Sequence, residues 1–518
     1  MARLEPAPSP ARQSLLLLGA LALGYVLLHV AFLTRYGIFR DELYYVACSR
    51  HLAWGFVDQP PFSIAVLAAV RALFGPSLEA MRLVSALCGA GMVVLTGWLA
   101  RDLGAGRLGQ AIAALGAMAA PVMLYATHVY SMNAFEFVLW PAASLLLVRA
   151  LRDGGDGRWA AFGLVVGIGL LNKVSISWFV AGALLGVLLT PTRGVLRTRG
   201  PWIATAIAGL VFMQHVWWQV VHGWPTLEFM RNATASKMTA SALPDFVVGQ
   251  VMSMNLFLDP LWIGGLLVLL FAPWARRQRV LGIVYLATFA LLAVAGRSRA
   301  SYLAPAYPAL FAAGAAAIDR FLKARSLRVR WGLGTAAVVV SLVGGRLVMP
   351  LGIPVYSPER LVIMMERIGM TPRPEERHVP PPIPQHFADM FGWEDLAVRV
   401  ARIHRALPPE DRQACAIYGQ NYGEAGAIDY FGPGLGLPPA VSGHNNYWLW
   451  GPGPAAPRVV IVIGGNTGNL RDLFDWVVVA DSTDQTWCMP YENHLPIHVC
   501  RGLRQPLAAI WPGLKEFI

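Results

Sequence analysis

Charge is what this sequence has least of: Asp, Glu, Lys and Arg together make up only 14% of its 518 residues. A water-covered domain of ordinary composition carries about a quarter, so a soluble protein of this length is excluded. Cysteine is equally sparse, five in the whole chain, which rules out a disulfide scaffold. Cys488 and Cys500 are close enough in sequence to pair in an oxidising compartment, or to stand as separate buried thiols; spacing alone does not choose. Acidic residues are outnumbered 30 to 42 and the net charge is +12. That balance does not mark a nucleic-acid binder, because the arginines sit in short loops between apolar runs rather than on one face. A nucleotide fingerprint is missing too: the "GPGLG" run near residue 432 opens no G-x-G-x-x-G turn. His51, His128, His215 and His222 show no clustered ligand spacing, so no obligatory metal is expected.

What is present is apolar sequence, 56% of the chain, with a mean hydropathy of +0.50. Runs of about 20 apolar residues, enough to cross a ~30 Å hydrocarbon core, recur from Ser14 to about Pro350. About eleven helical spans are expected, near 14–34, 77–100, 108–126, 133–150, 159–171, 174–190, 201–221, 246–272, 279–296, 301–318 and 331–350. The first run lacks a small-residue cleavage site and reads as a retained span.

Basic residues cluster on alternate loops: Arg3 and Arg12; Arg101 and Arg107; Arg149, Arg152 and Arg158; Arg193, Arg197 and Arg199; Arg276, Arg277 and Arg279; and a last group from Arg320 to Arg330. By the positive-inside rule these face the cytoplasm. The opposite loops, and the tail, then face the periplasm of a bacterium, with the chain in its inner membrane. Several cations remain on that side against the trend: Arg40, Arg50, Lys173, Arg231, Lys237, Arg297 and Arg299. A phosphate at headgroup depth is one partner that would hold them there; interfacial snorkelling is the plainer one.

Composition changes near Gly352. Pro372, Pro374, Pro380, Pro381, Pro382 and Pro384 lead into a mixed region with strand-like runs at 414–418, 459–463 and 476–479, and helix-like stretches at 393–407 and 424–430. A transmembrane domain over 1–350, with a first periplasmic loop at 35–76, and a soluble α/β domain over 351–518 follow.

The first loop reads "RDELYYVACSRHLAWGFVDQPP" from Arg40 to Pro61. Asp41 and Glu42 stand side by side, and Asp58 precedes Gln59 and two prolines that force an extended turn. By themselves the paired acids suit a solvated loop or the start of a helix. Taken with the flanking Tyr44, Tyr45, Trp54 and Phe56, the stretch resembles the first non-cytoplasmic loop of the polyprenyl-phosphate-dependent glycosyltransferases of GT-C fold, the group of protein O-mannosyltransferases and lipid A aminoarabinose transferases.

The resemblance implies an inverting sugar transfer, hexosyl or pentosyl, with no cofactor. Asp41 would act as general base on an acceptor hydroxyl, and Glu42 or Asp58 would orient the site. The donor would be a polyprenyl-phosphate-linked monosaccharide; the acceptor a glycolipid such as lipid A, another glycan, or a protein. "HVYSMNAFEFVLW" (128–140) resembles the family's second luminal turn but has Asn133 where an Asp is usual. Either Glu136 supplies that carboxylate one helical turn along, or Asn133 serves by hydrogen bonding, or both simply begin a span. "GIGLLNKVS" (167–175) and "GRSRASYLAPAYPAL" (296–310) resemble later turns of the family. Lys173 would contact the donor phosphate, with Arg297, Arg299 and Tyr302 as further contacts. In the tail, Glu424, His444, Asn445 and Asn446 lie beside Tyr447, Trp448 and Trp450, a mixture that suits either a sugar or a packed interface.

A transporter or flippase of lipid-linked sugars is the main alternative from sequence. It would place its polar groups near the bilayer midplane, often in repeated halves; here they gather at one face.

Overall fold

The computed structural model describes residues 10–240, 242–372, 376–454 and 456–518. Arg3 and Pro374 lie outside the described residues. Cα proximity divides the chain into two compact units: residues 1–33, 79–216 and 240–355 form the first, and residues 34–78, 217–239 and 356–518 the second.

The first unit is helical. Helix occupies every one of the expected apolar stretches, yet among the described residues only six helices are long and apolar enough to cross a bilayer alone: Arg12–Val30, Leu78–Asp102, Met132–Asp153, Gly200–Val221, Ala300–Lys323 and Leu327–Leu351. Two bent pairs raise the number to eight. Ile176–Leu189 turns by 109° into Pro191–Arg197, where proline removes a backbone donor. Leu243–Met254 turns by 89° into Leu256–Phe271. There Asn255, at φ +79°, accepts from the Phe257 amide (3.1 Å) and donates to the Ala119 carbonyl (3.0 Å). Expected spans elsewhere are shorter as built. Arg107–Met118 stops at 12 residues, before Pro121 begins another short helix. The chain is thus a multi-pass, mostly helical membrane protein.

Without a hydrophobic gradient inside a bilayer, helices associate where small residues let backbones meet. The helices Asp259–Phe271 and Tyr307–Lys323 do this reciprocally. A Cβ on Gly265 would fall 2.0 Å from the Leu310 carbonyl oxygen, and one on Gly314 would fall 2.0 Å from that of Leu261.

The second unit holds a five-stranded sheet: β1 (Cys415–Gly419), β2 (Ala440–Val441), β3 (Val459–Ile463), β4 (Phe474–Ser482) and β5 (Pro496–Leu503), in the order β2-β1-β3-β5-β4. β1 runs parallel to β2 and β3, with Ile417 opposite Ile461. β5 is antiparallel to β3 and β4, with Cys500 opposite Val460 and Val477. β3 is buried along its whole length, which explains its unbroken Val/Ile composition. Helices Trp393–Ala406 and Tyr422–Leu435 match the two helix-like stretches, whereas β2 and β5 carry no strand signal strong enough to read. All five cysteines are free thiols, Cys488 and Cys500 both buried.

The opening loop is more ordered than its composition announces. It contains the helices Arg40–Cys48 and Phe62–Phe74, and the 222–245 loop contains the helix Pro225–Asn232, whose proline occupies the first turn. The Arg40–Cys48 helix lies against Tyr422–Leu435. A Cβ on Gly426 would meet Leu43 at 3.0 Å, and one on Gly423 would meet Arg40 Cγ at 2.7 Å. Glycine here brings the acidic loop and the C-terminal helix into backbone contact.

Candidate functional site

Two sets of polar side chains emerge, one in each unit. In the second unit the Arg40–Cys48 helix begins after Phe39, whose amide donates to Glu42 Oε2 at 2.8 Å. Glu42 is fully buried. Its carboxylate thus satisfies one of the orphan donors at a helix start. Asp41 is different: its side chain is 36% exposed, and Oδ1 accepts from the hydroxyl of Tyr422 at 2.8 Å. The neighbouring Arg40 guanidinium lies 3.8 Å from Asp41 Oδ1 and 3.6 Å from Asp389 Oδ1. It also donates to the Tyr491 hydroxyl and rests 5.4 Å from the centre of the Tyr422 ring. The Arg40 amide donates to the Asp389 carbonyl at 2.9 Å. A cation that reads in sequence as a lone trans-side charge is therefore held by three C-terminal residues.

Asp58 accepts from the Tyr44 hydroxyl at 3.0 Å, and that hydroxyl accepts from Asn446 Nδ2 at 2.8 Å. Asn446 Oδ1 in turn accepts from the Val57 amide at 3.1 Å. Burial pushes the Asp58 carboxyl up to about 7, against the lowering effect of the Tyr44 bond. Burial likewise raises Asp389 to about 6, with Arg40 pulling it down. Deeper in the unit, Asn421 Nδ2 bridges two buried carboxylates, Glu424 Oε1 (3.0 Å) and Glu492 Oε1 (2.9 Å). Loss of solvent raises both.

These raised acids give the unit a pH dependence of definite sign. The fold favours the protonated carboxyl, while the unfolded chain releases its proton in the ordinary carboxylate range. Stability is therefore full below about pH 4 and is lost as pH climbs to about 7. Glu492→Gln, neutral at every pH, removes part of that loss. Its thermal midpoint at pH 7.5 should exceed that of wild type by about 5 °C, with little difference at pH 4.5. Differential scanning fluorimetry in detergent checks this, and equal midpoints at both pH values would contradict it.

The first unit carries the second set. Ser131 caps the helix Met132–Asp153, its hydroxyl accepting from the Asn133 amide at 3.2 Å. Asn133 Oδ1 and Glu136 Oε2 then lie one turn apart on the same face and both receive the Lys173 ammonium, at 2.8 and 2.7 Å. Ser175 donates to the other Glu136 oxygen. Lys173, at the end of the helix Asp156–Asn172, is 16% exposed and lies 5.2 Å from the centre of the Tyr302 ring. Asn133 and Glu136, alternatives in sequence, act together on one cation. Arg297 and Arg299 are half-buried in the turn before the Ala300–Ala306 segment that carries Tyr302.

Sequence reasoning missed Tyr422, Asp389 and Tyr491, each more than 300 positions beyond the loop it supports; no local pattern links such residues.

Comparison with known proteins bears on both sets. The family profile of dolichyl-phosphate-mannose-protein mannosyltransferases matches residues 58–218. That span takes in Asp58, Asn133, Glu136 and Lys173 and begins after Asp41. The lipid A galacturonosyltransferase RgtD of Rhizobium johnstonii is 27% identical over 209 residues, which is 39% of this chain and 43% of that protein. The chain thus matches less than half the length of this relative. In fold, the crystal structures of ArnT from Cupriavidus metallidurans, one bound to undecaprenyl phosphate and one apo, both superpose with a TM-score of 0.60 at 15% identity. The match covers 94% of this chain and 97% of the bound ArnT, and 95% and 98% for the apo form. The resemblance of the chain to GT-C polyprenyl-phosphate-sugar glycosyltransferases is thereby borne out, in sequence by the profile and RgtD and in fold by ArnT.

Proposed function

We propose that this chain is an integral membrane glycosyltransferase that moves a monosaccharide from a polyprenyl phosphate to an envelope acceptor, lipid A first among the candidates. The relative RgtD supports both the acceptor and galacturonic acid as the first sugar to try. The alternation of basic loops supports a periplasmic active face.

The observation that carries the reading is Asp41 itself. In a loop where Glu42 is buried as a cap and Asp58 is partly buried against Tyr44, it keeps an accessible carboxylate on a helix fixed by C-terminal contacts. A sugar or lipid hydroxyl is a weak nucleophile near neutral pH and gains from a positioned base. In the proposed step the acceptor O–H bond breaks and its proton passes to Asp41. The acceptor oxygen then bonds to the anomeric carbon, and the electrons of the anomeric C–O bond leave with the phosphate. Configuration at that carbon inverts because there is a single displacement. Lys173 is assigned the charge that grows on the departing phosphate. Asn133 and Glu136 orient its ammonium, and Tyr302 flanks it. Arg297 and Arg299 are assigned further contact with the phosphate or headgroup, and Asp58 the acceptor side beside Tyr44.

Purified protein in liposomes, given labelled galacturonosyl, aminoarabinosyl or mannosyl polyprenyl phosphate together with lipid A or crude envelope, tests this. Label should enter the acceptor fraction with release of polyprenyl phosphate. Movement of the intact donor across the bilayer without release would make the protein a flippase instead.

A further inference from the structure

We propose that Tyr422, in the C-terminal α/β region, is the positioning residue of Asp41: its hydroxyl holds one carboxylate oxygen so that the other is presented to the acceptor proton. The inference rests on the reading of Asp41 as general base and adds a working part from the other end of the chain.

A carboxylate that is a third exposed has rotational freedom about two side-chain bonds, and a base that samples several orientations meets its proton in few of them. Tyr422 supplies the restraint. Its hydroxyl donates to Asp41 Oδ1 at 2.8 Å, whereas the Arg40 guanidinium, at 3.8 Å, is outside hydrogen-bond distance of that oxygen.

Tyr422 is itself immobilised on every side. Asn421 caps its helix, accepting from the Gly423 and Glu424 amides at 2.8 and 3.1 Å. The Tyr422 amide donates to His444 Nδ1 at 3.2 Å. The ring packs 4.7 Å from that of Tyr44 and beneath Arg40. Burial also keeps its phenol protonated, and therefore a donor, at any working pH. A ring needed for packing alone would serve as well as phenylalanine; the hydroxyl aimed at Asp41 is what packing does not require.

The test separates ring from hydroxyl in the full-length protein in liposomes, with the three labelled donors above and lipid A or crude envelope. Tyr422→Phe should lower kcat by about ten- to a hundredfold with donor KM within about twofold of wild type. Tyr422→p-aminophenylalanine, which restores a donor at the same place, should recover most of that loss. Should Tyr422→Phe reduce the folded yield, the p-amino variant still decides, because its recovery depends on the hydrogen bond. Wild-type kcat in Tyr422→Phe beside a damaged Tyr422→Ala would leave the ring as packing and overturn the inference, as would failure of the p-amino variant to recover. If Asp41→Asn transfers sugar as fast as wild type, or wild type transfers none, the reading of Asp41 falls first and this role goes with it.

Discussion

Asp41→Asn is expected to lower kcat for sugar transfer by about 10²- to 10⁴-fold, the usual worth of a general base, while the protein remains folded. The isosteric amide oxygen still accepts from Tyr422, and Arg40 keeps Asp389 and Tyr491 when the nearby charge is gone. What is lost is the capacity to take a proton. Glu42→Gln should behave in the opposite way. Its side-chain oxygen can still receive the Phe39 amide, so transfer should stay within about threefold of wild type while thermal stability drops modestly. The comparison that matters most is with Asp58→Asn. Asp58, raised to about 7 by burial, is also a group that could exchange a proton near neutrality. Single-turnover transfer rates of the three variants would decide: an inactive Asp58→Asn beside a near-normal Asp41→Asn would move the base to Asp58.

The acids also show how far the sequence could be read. Asp41 and Glu42 are indistinguishable as letters, and both read as candidates for the chemistry. Their difference arises at the helix start, where the third position faces back to the cap and the second faces outward. The positions of the apolar helices were legible because hydrophobic length is a local property. The breaks at Asn255 and before Pro191 were less so, since hydropathy runs on through a bend. In the α/β region, β1 and β3 could be located from their apolar runs. β5 mixes His498, Cys500 and Arg501 into its length and becomes a strand only through its partners on both sides. Tyr422, Asp389 and Tyr491 could not be found at all, because long-range pairing leaves no spacing rule in one sequence.

Lys173 offers the second large effect, and its surroundings dictate how to measure it. Lys173→Met should depress transfer by about 10²- to 10³-fold if its charge meets the leaving phosphate. It also strands the Glu136 carboxylate, only 7% exposed, without its cation, at a cost of about 3–5 kcal/mol. A dead single variant is therefore ambiguous. The double variant Lys173→Met with Glu136→Gln removes both charges and should regain most of the lost thermal stability without regaining activity; that separation of folding from function identifies a working cation. Lys173→Arg should recover little, since a planar fork does not fit the cradle of Asn133 and Glu136 built around a compact ammonium. Asn133→Asp examines the remaining member. A second carboxylate beside Lys173 would draw the ammonium away from a phosphate, so donor KM should rise. If Asn133→Asp instead retains or raises transfer, and Glu136→Gln changes nothing, Glu136 does not stand in for the family's usual Asp and the working carboxylate belongs at position 133.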